Sequence, residues 1–222
     1  MKFEFLKIYT SRLQEQLEFY RDVLGFSSIE ISEDSFQLQM GYTRMLFQQK
    51  KDSKPYHIAF HIPAHQEFLA LEWLKKRVKI EKDEAEEIID FSNWNAKSVY
   101  FKDPDSNIME CISRRHLFLT HNDEFNASSF MGVAEIGMAV RDIEVYYKKL
   151  HHEFELKIFD GGLDPFCAIG DENGLIICIN REQKDWFPTQ DPAYKADFDI
   201  TFRHNEKTGS FLFKNDRIYL ED

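Results

Sequence analysis

The chain has 222 residues, 43% hydrophobic and 15% aromatic with 21 Phe, enough for a packed core, which excludes a disordered chain. Its formal net charge of -11 at pH 7 excludes nucleic-acid or anionic-membrane binding through a basic surface. No apolar run approaches the roughly 20 residues of a membrane-spanning helix. The opening MKFEFLKIYTSRLQEQ lacks the uninterrupted apolar stretch and small-residue cleavage site of a signal peptide, so a cytoplasmic protein is expected. The three cysteines, Cys111, Cys167 and Cys178, have no metal-type spacing and sit among apolar residues, so they read as reduced core fillers. The length allows one large or two small domains.

Residues 3–9 read as a strand, with Phe3, Phe5, Lys7 and Tyr9 on one face by alternation. Ser11 is a plausible cap for a helix in which Leu13, Leu17, Tyr20 and Leu24 recur at helical spacing, stopped by Gly25. Short strands are expected at Ser28 to Ile31, Ser35 to Met40 and Thr43 to Gln49, completing a βαβββ unit. After a polar break at Lys50 to Pro55, YHIAFHI (Tyr56 to Ile62) reads as a strand and Gln66 to Val78 as an amphipathic helix. Lys79 to Ile89 is charge-rich and reads as a solvated connection with one short strand.

The stretch Ser98 to Arg114, SVYFKDPDSNIMECISR, then reads as strand, tight turn, strand. Pro104 presets φ, and Asp105 and Asn107 tolerate turn geometry. Ile108, Glu110 and Ile112 share a face of the second strand. A lone carboxylate among apolar neighbours is paired, exposed on an edge, or holding a metal. This hairpin completes a second unit.

Arg115 to Ser129 is polar and aperiodic. Val133 to Val140 reads as a strand, and Asp142 caps a helix to about Leu150. Strand-like runs at Leu156 to Phe159, Pro165 to Ile169 and Leu175 to Ile179 make a third unit. Phe198 to Leu220 looks like a fourth unit without its helix. The expected organisation is a first domain over 1–115, a linker over 116–129 and a second, degenerate domain over 130–222.

The FYRDVLGF segment (Phe19 to Phe26) and the DPDSN turn followed by Glu110 resemble the vicinal oxygen chelate superfamily, which includes glyoxalase I, bleomycin-binding proteins and extradiol dioxygenases. Ser106 stands where the family turn has Gly. The resemblance implies an α+β fold of tandem βαβββ modules, forming cupped mixed sheets with helices outside. It also implies a metal site in a cup built by two units. Glu110 matches the family's last-strand ligand and His57, in HIAF, its first-strand ligand. As a bare residue, His57 reads as a hydrogen-bonded core group; the HIAF context and Glu110 favour a ligand. His61 shares its face and reads as structural. In unit one the remaining ligand position holds Phe5, which cannot bind a metal; in unit three it holds Glu135. If units two and three close one cup, His57, Glu110 and Glu135 converge, while Phe5, Asp199 and Tyr219 make a cup without metal chemistry.

One imidazole and two carboxylates suit a divalent Fe, Mn, Co, Ni or Zn ion, and leave Mg open. The resemblance then implies an enzyme chelating a small substrate through vicinal oxygens: a lyase, an isomerase or a dioxygenase. Replacing a His by Glu leans towards the first two. Tyr9, Lys7 and Tyr100 are inward-facing candidates for proton transfer, each also read as packing or surface. The alternative is a metal-free binding protein of the bleomycin-resistance type, with an aromatic-lined cup. A third reading is a degenerate structural relative without a ligand. The resemblance allows a homodimer; no nucleic-acid or membrane partner is expected.

Overall fold

The computed structural model describes residues 1–27, 29–119 and 124–220. The expected strand start at Ser28, part of the linker and the last two positions of the second domain lie outside the described residues.

Unit one comprises β1 (Lys2–Thr10), α1 (Leu13–Glu18), β2 (Ile29–Ile31), β3 (Ser35–Met40) and β4 (Thr43–Gln49). A π-helical turn, Phe19–Val23, extends α1 and brings Tyr20 fully into the core. Ser11 does not cap α1: the residue before the first turn is Arg12, and the Ser11 hydroxyl instead donates to Asp105. Unit two comprises β5 (His57–Ile62), α2 (Glu67–Lys75), β6 (Ile80–Glu81), β7 (Ile89–Phe91), β8 (Ala96–Lys102) and β9 (Ile108–Arg114). The charge-rich connection thus carries parts of two short strands rather than one.

Unit three comprises β10 (Gly132–Val140), α3 (Ile143–Phe154), β11 (Ile158–Gly161), β12 (Phe166–Asp171) and β13 (Gly174–Asn180), and Asp142 caps α3 by accepting from the Val145 amide at 3.3 Å. The fourth segment comprises β14 (Phe198–His204), β15 (Lys207–Lys214) and β16 (Arg217–Leu220).

The strands form two mixed sheets. One runs β16-β15-β14-β1-β4-β3-β2 and the other β11-β12-β13-β10-β5-β9-β8-β6, with β7 paired to β8. Unit one therefore pairs with the fourth segment, and unit two with unit three. Each sheet contains strands from both sides of the 116–129 stretch. In the three full units a helix carries the chain across, so β1–β4, β5–β9 and β10–β13 are parallel. The fourth segment has no helix, and a parallel neighbour needs a crossover. Its β14 is followed by a hairpin instead, and β14–β15 is antiparallel. It is a three-stranded meander rather than a shortened copy of the unit.

Helix α2 packs against β8 and β9 and α3 against β12 and β13 of the second sheet, while Tyr146 and Phe154 of α3 also meet Phe213, Phe202 and Phe211 of the first. The opposite face of the second sheet is the cup. All three cysteines are buried and unbonded, as core fillers. The two sheets lock together where the Thr43 hydroxyl donates to the Phe3 carbonyl at 2.8 Å and accepts from the Val133 amide at 2.9 Å. Beside it Gly41 has φ +54°, and a Cβ there would lie 2.0 Å from the Met131 backbone, so only glycine fits.

Bulges determine which residues face the cups. In β1 the register slips between Phe3 and Phe5, and in β10 between Val133 and Glu135. The extra residue turns Phe3 into the core, away from Phe5, Lys7 and Tyr9, so the four do not share one face. Phe5 and Glu135 occupy the same place after their bulges, as the sequence alignment of the units requires.

Candidate metal centre

The cup of the second sheet is built on one row of residues. Glu135 on β10 lies opposite Ala59 on β5, Ala59 opposite Glu110 on β9, and Glu110 opposite Tyr100 on β8. His57 is two residues before Ala59 and so projects from the same face. The methyl of Ala59 leaves the space between the two carboxylates open. Donor atoms of His57, Glu110 and Glu135 all lie within 4.8 Å of one another, and all three residues are buried. His57 Nε2 is 3.6 Å from Glu110 Oε2 and 3.9 Å from Glu135 Oε2.

Each carboxylate has its other oxygen held from behind. Ser98 Oγ donates to Glu110 Oε1 at 2.5 Å, and Arg114 Nη2 donates to Glu135 Oε1 at 3.1 Å. Two oxygens are thus fixed by the protein and two face the imidazole. His57 Nδ1 is buried with no hydrogen-bond partner among the described residues. Burial pushes the Glu110 carboxyl up to about 7; the Glu135 charge adds to the rise and His57 opposes it. Burial, then the charges of Glu110 and Glu135, push the Tyr100 phenol well above its usual range.

The cup opens into a cavity of about 690 Å³. Its walls are largely aromatic: Phe91, Trp94, Tyr100, Phe166, Trp186 and Phe187. Trp186 lies on the segment between β13 and β14 and packs on His57, with ring centroids 5.2 Å apart. Gly137 on β10 makes this possible, because a Cβ there would lie 2.7 Å from the indole and 3.1 Å from the His57 Cβ.

Sequence reasoning selected His57, Glu110 and Glu135, and they come together. Tyr100 lines the same cavity, whereas Lys7 and Tyr9 belong to the other sheet and do not. His61 shares the cup face but is 1% exposed, with Nε2 3.2 Å from the Asn173 carbonyl; burial, then the Arg114 charge, lower its pKa to about 3. In the other sheet Phe5 pairs with Thr201, and Asp199 with Lys7. Arg114, Ser98, Gly137 and Trp186 escaped the sequence reading. Arg114 was within reach of it, since alternation from Glu110 through Ile112 puts it on the cup face.

No protein-family model matches the sequence, and no curated protein matches it. Solved structures do. A "putative dioxygenase" from Bacillus subtilis superposes with a TM-score of 0.56 at 15% identity, over 81% of this chain and 64% of that one. Glyoxalase I from Zea mays superposes with a TM-score of 0.53 at 14% identity, over 80% of this chain and 66% of that one. The chain has the glyoxalase/dioxygenase fold. It spans about two thirds of the length of these two neighbours. That fold accounts for the tandem βαβββ modules and for the cup onto which β5, β9 and β10 project His57, Glu110 and Glu135. No described helix is long and apolar enough to cross a membrane.

Proposed function

We propose that His57, Glu110 and Glu135 hold one divalent metal ion, and that the protein is a metal-dependent enzyme acting on a small substrate with two adjacent oxygens. The observation that carries this reading is the convergence of three donors from three strands at the floor of an open cavity. Two buried carboxylates this close repel one another and lose hydration, a cost a cation removes. The donors fit a hard or borderline divalent ion, which would supply Lewis-acid chemistry to the oxygens of a bound substrate. Three protein ligands leave positions for those oxygens.

The chain's own residues supply the remainder. Ser98 and Arg114 orient the carboxylates. Trp186, packed on His57, and Phe187 form an aromatic wall beside the donors. Tyr100 remains a phenol at neutral pH, so it serves as a hydrogen-bond donor and not as a base. The two carboxylates favour lyase or isomerase chemistry over ring cleavage. A small-molecule substrate is the partner this cavity suits. The sequence organisation into 1–115 and 130–222 is proposed to reflect duplication rather than separately folding bodies, since each sheet draws on both.

A second reading has one specific observation in its favour. Arg114 already neutralises Glu135, so the aromatic cavity could hold a planar ligand without metal, as a bleomycin-type binding protein would. Elemental analysis of the purified protein separates the two. About one divalent ion per chain, lost in Glu110→Ala, supports the enzyme reading, and its absence from wild type refutes it.

A further inference from the structure

Arg114 is 1% exposed, one of the largest side chains in the protein to be so enclosed. Burying a guanidinium is costly unless its charge is met. Here Nη2 meets Glu135 Oε1 at 3.1 Å, Nη1 reaches the Trp94 carbonyl at 3.4 Å, and Nε has no partner among the described residues. The guanidinium carbon lies 5.5 Å from the Trp94 ring centre and 5.8 Å from that of Phe159. The side chain is thus wedged behind the candidate ligand set, and its charge bears directly on one ligand.

This bears on the charge of the loaded site. His57 ligates as a neutral imidazole and both glutamates as anions. A divalent ion with these ligands alone is neutral overall. The fixed guanidinium leaves one positive charge, itself enclosed between the Trp94 and Phe159 rings. The other charges at the cavity are Asp90, Asp160, Lys184 and Asp185, all at the rim and half-buried or exposed, where water and salt screen them.

We infer that Arg114 is a specificity-determining residue, which makes the metal-loaded cup favour a monoanionic bidentate oxygen ligand over a neutral one. The inference rests on the metal reading above. It assigns the substrate class as one that binds in singly deprotonated form, such as an enolate or an acidic enol, rather than as a neutral diol or diketone. A unit charge some 7 Å from the ligand in a medium of effective dielectric about 20 changes affinity by roughly tenfold or more.

The test uses the full-length protein loaded with Zn²⁺, and two probes of one shape. Tropolonate is a monoanion with adjacent oxygens, and 2-methoxytropone is its neutral ether. Arg114→Met removes the charge, Arg114→Gln removes it but keeps a donor for Glu135, and Arg114→Lys keeps it. Zinc uptake is measured first by calorimetry, then probe binding by displacement of absorbance. The expected result is that Met and Gln lose at least about tenfold in tropolonate affinity, change little for the ether, and that Lys restores most of the preference. Should the Met variant not fold, the Gln variant carries the comparison. Zinc uptake by all variants with unchanged tropolonate affinity overturns the inference and leaves the metal reading intact. No zinc uptake by wild type overturns the metal reading and this inference with it.

Discussion

Gly137→Ala tests how the cup is closed. The added Cβ would lie 2.7 Å and 2.9 Å from two carbons of the Trp186 indole and 3.1 Å from the His57 Cβ. Two outcomes compete. Trp186, only 7% exposed, could leave the cup. An aromatic of this size buries roughly 150–250 Å², so ejection costs about 4–6 kcal/mol at about 25 cal/mol per Å². Alternatively the ring shifts by a few tenths of an ångström at an overpacking cost of about 1–3 kcal/mol. Strain is the cheaper, so the indole should stay. Gly137 has no positive φ, so alanine also gains about 0.5–1 kcal/mol from the lower entropy of the unfolded chain. The net loss should fall between about 0 and 2.5 kcal/mol by urea unfolding. Trp186→Phe shortens the ring, so the double variant should recover at least about 1 kcal/mol relative to the sum of the singles. Strictly additive effects in the double variant would refute the packing argument.

The remaining predictions concern charge. Folded His61 has its pKa lowered to about 3, so it binds fewer protons than in the unfolded chain between about pH 3 and 6.5. Its contribution to stability is complete above pH 6.5 and is lost as pH falls, by about 2 kcal/mol at pH 5. His61→Gln should lose correspondingly less stability than wild type between pH 7 and pH 5. Glu110 and Asp103 are both raised to about 7 and act with the opposite sign, but they cancel in that comparison. For Glu110 the folded state holds its proton more tightly, so the metal-free protein loses stability as pH rises from about 4.5 to 7. Glu110→Gln should therefore stabilise the metal-free protein by roughly 1–3 kcal/mol at pH 8 and by little at pH 4.5; an unchanged unfolding midpoint at pH 8 contradicts this. Because a ligating Glu110 must give up its proton, metal uptake should release more protons at pH 6 than at pH 8, read from calorimetry in buffers of different ionisation enthalpy.

The modules were legible because each carries local signals that agree. Helical spacing after β1, the DPDSN turn and strand alternation all point to one unit, and the same order recurs in three places. The pairing of units two and three followed from the family resemblance, whose remaining ligand position holds Phe5 in unit one and Glu135 in unit three. The fourth segment was less so, since a missing helix changes strand direction, and composition does not record direction. The bulge that turns Phe3 inward is likewise invisible to a strict alternation of two. Arg114 and Trp186 acquire their roles only in three dimensions. The first lies at the end of a strand where an arginine is ordinarily solvated, and the second on an aperiodic segment that only the fold brings over His57.

The claim that His57, Glu110 and Glu135 form one metal site is tested most directly by calorimetric titration of chelator-treated protein with a divalent ion. Wild type should take up one ion per chain. Phe5→Ala, altered at the matching place in the other sheet, should bind equally well, and His57→Ala should lose most of the affinity. No uptake by wild type, or binding by His57→Ala as tight as by wild type, would contradict the account.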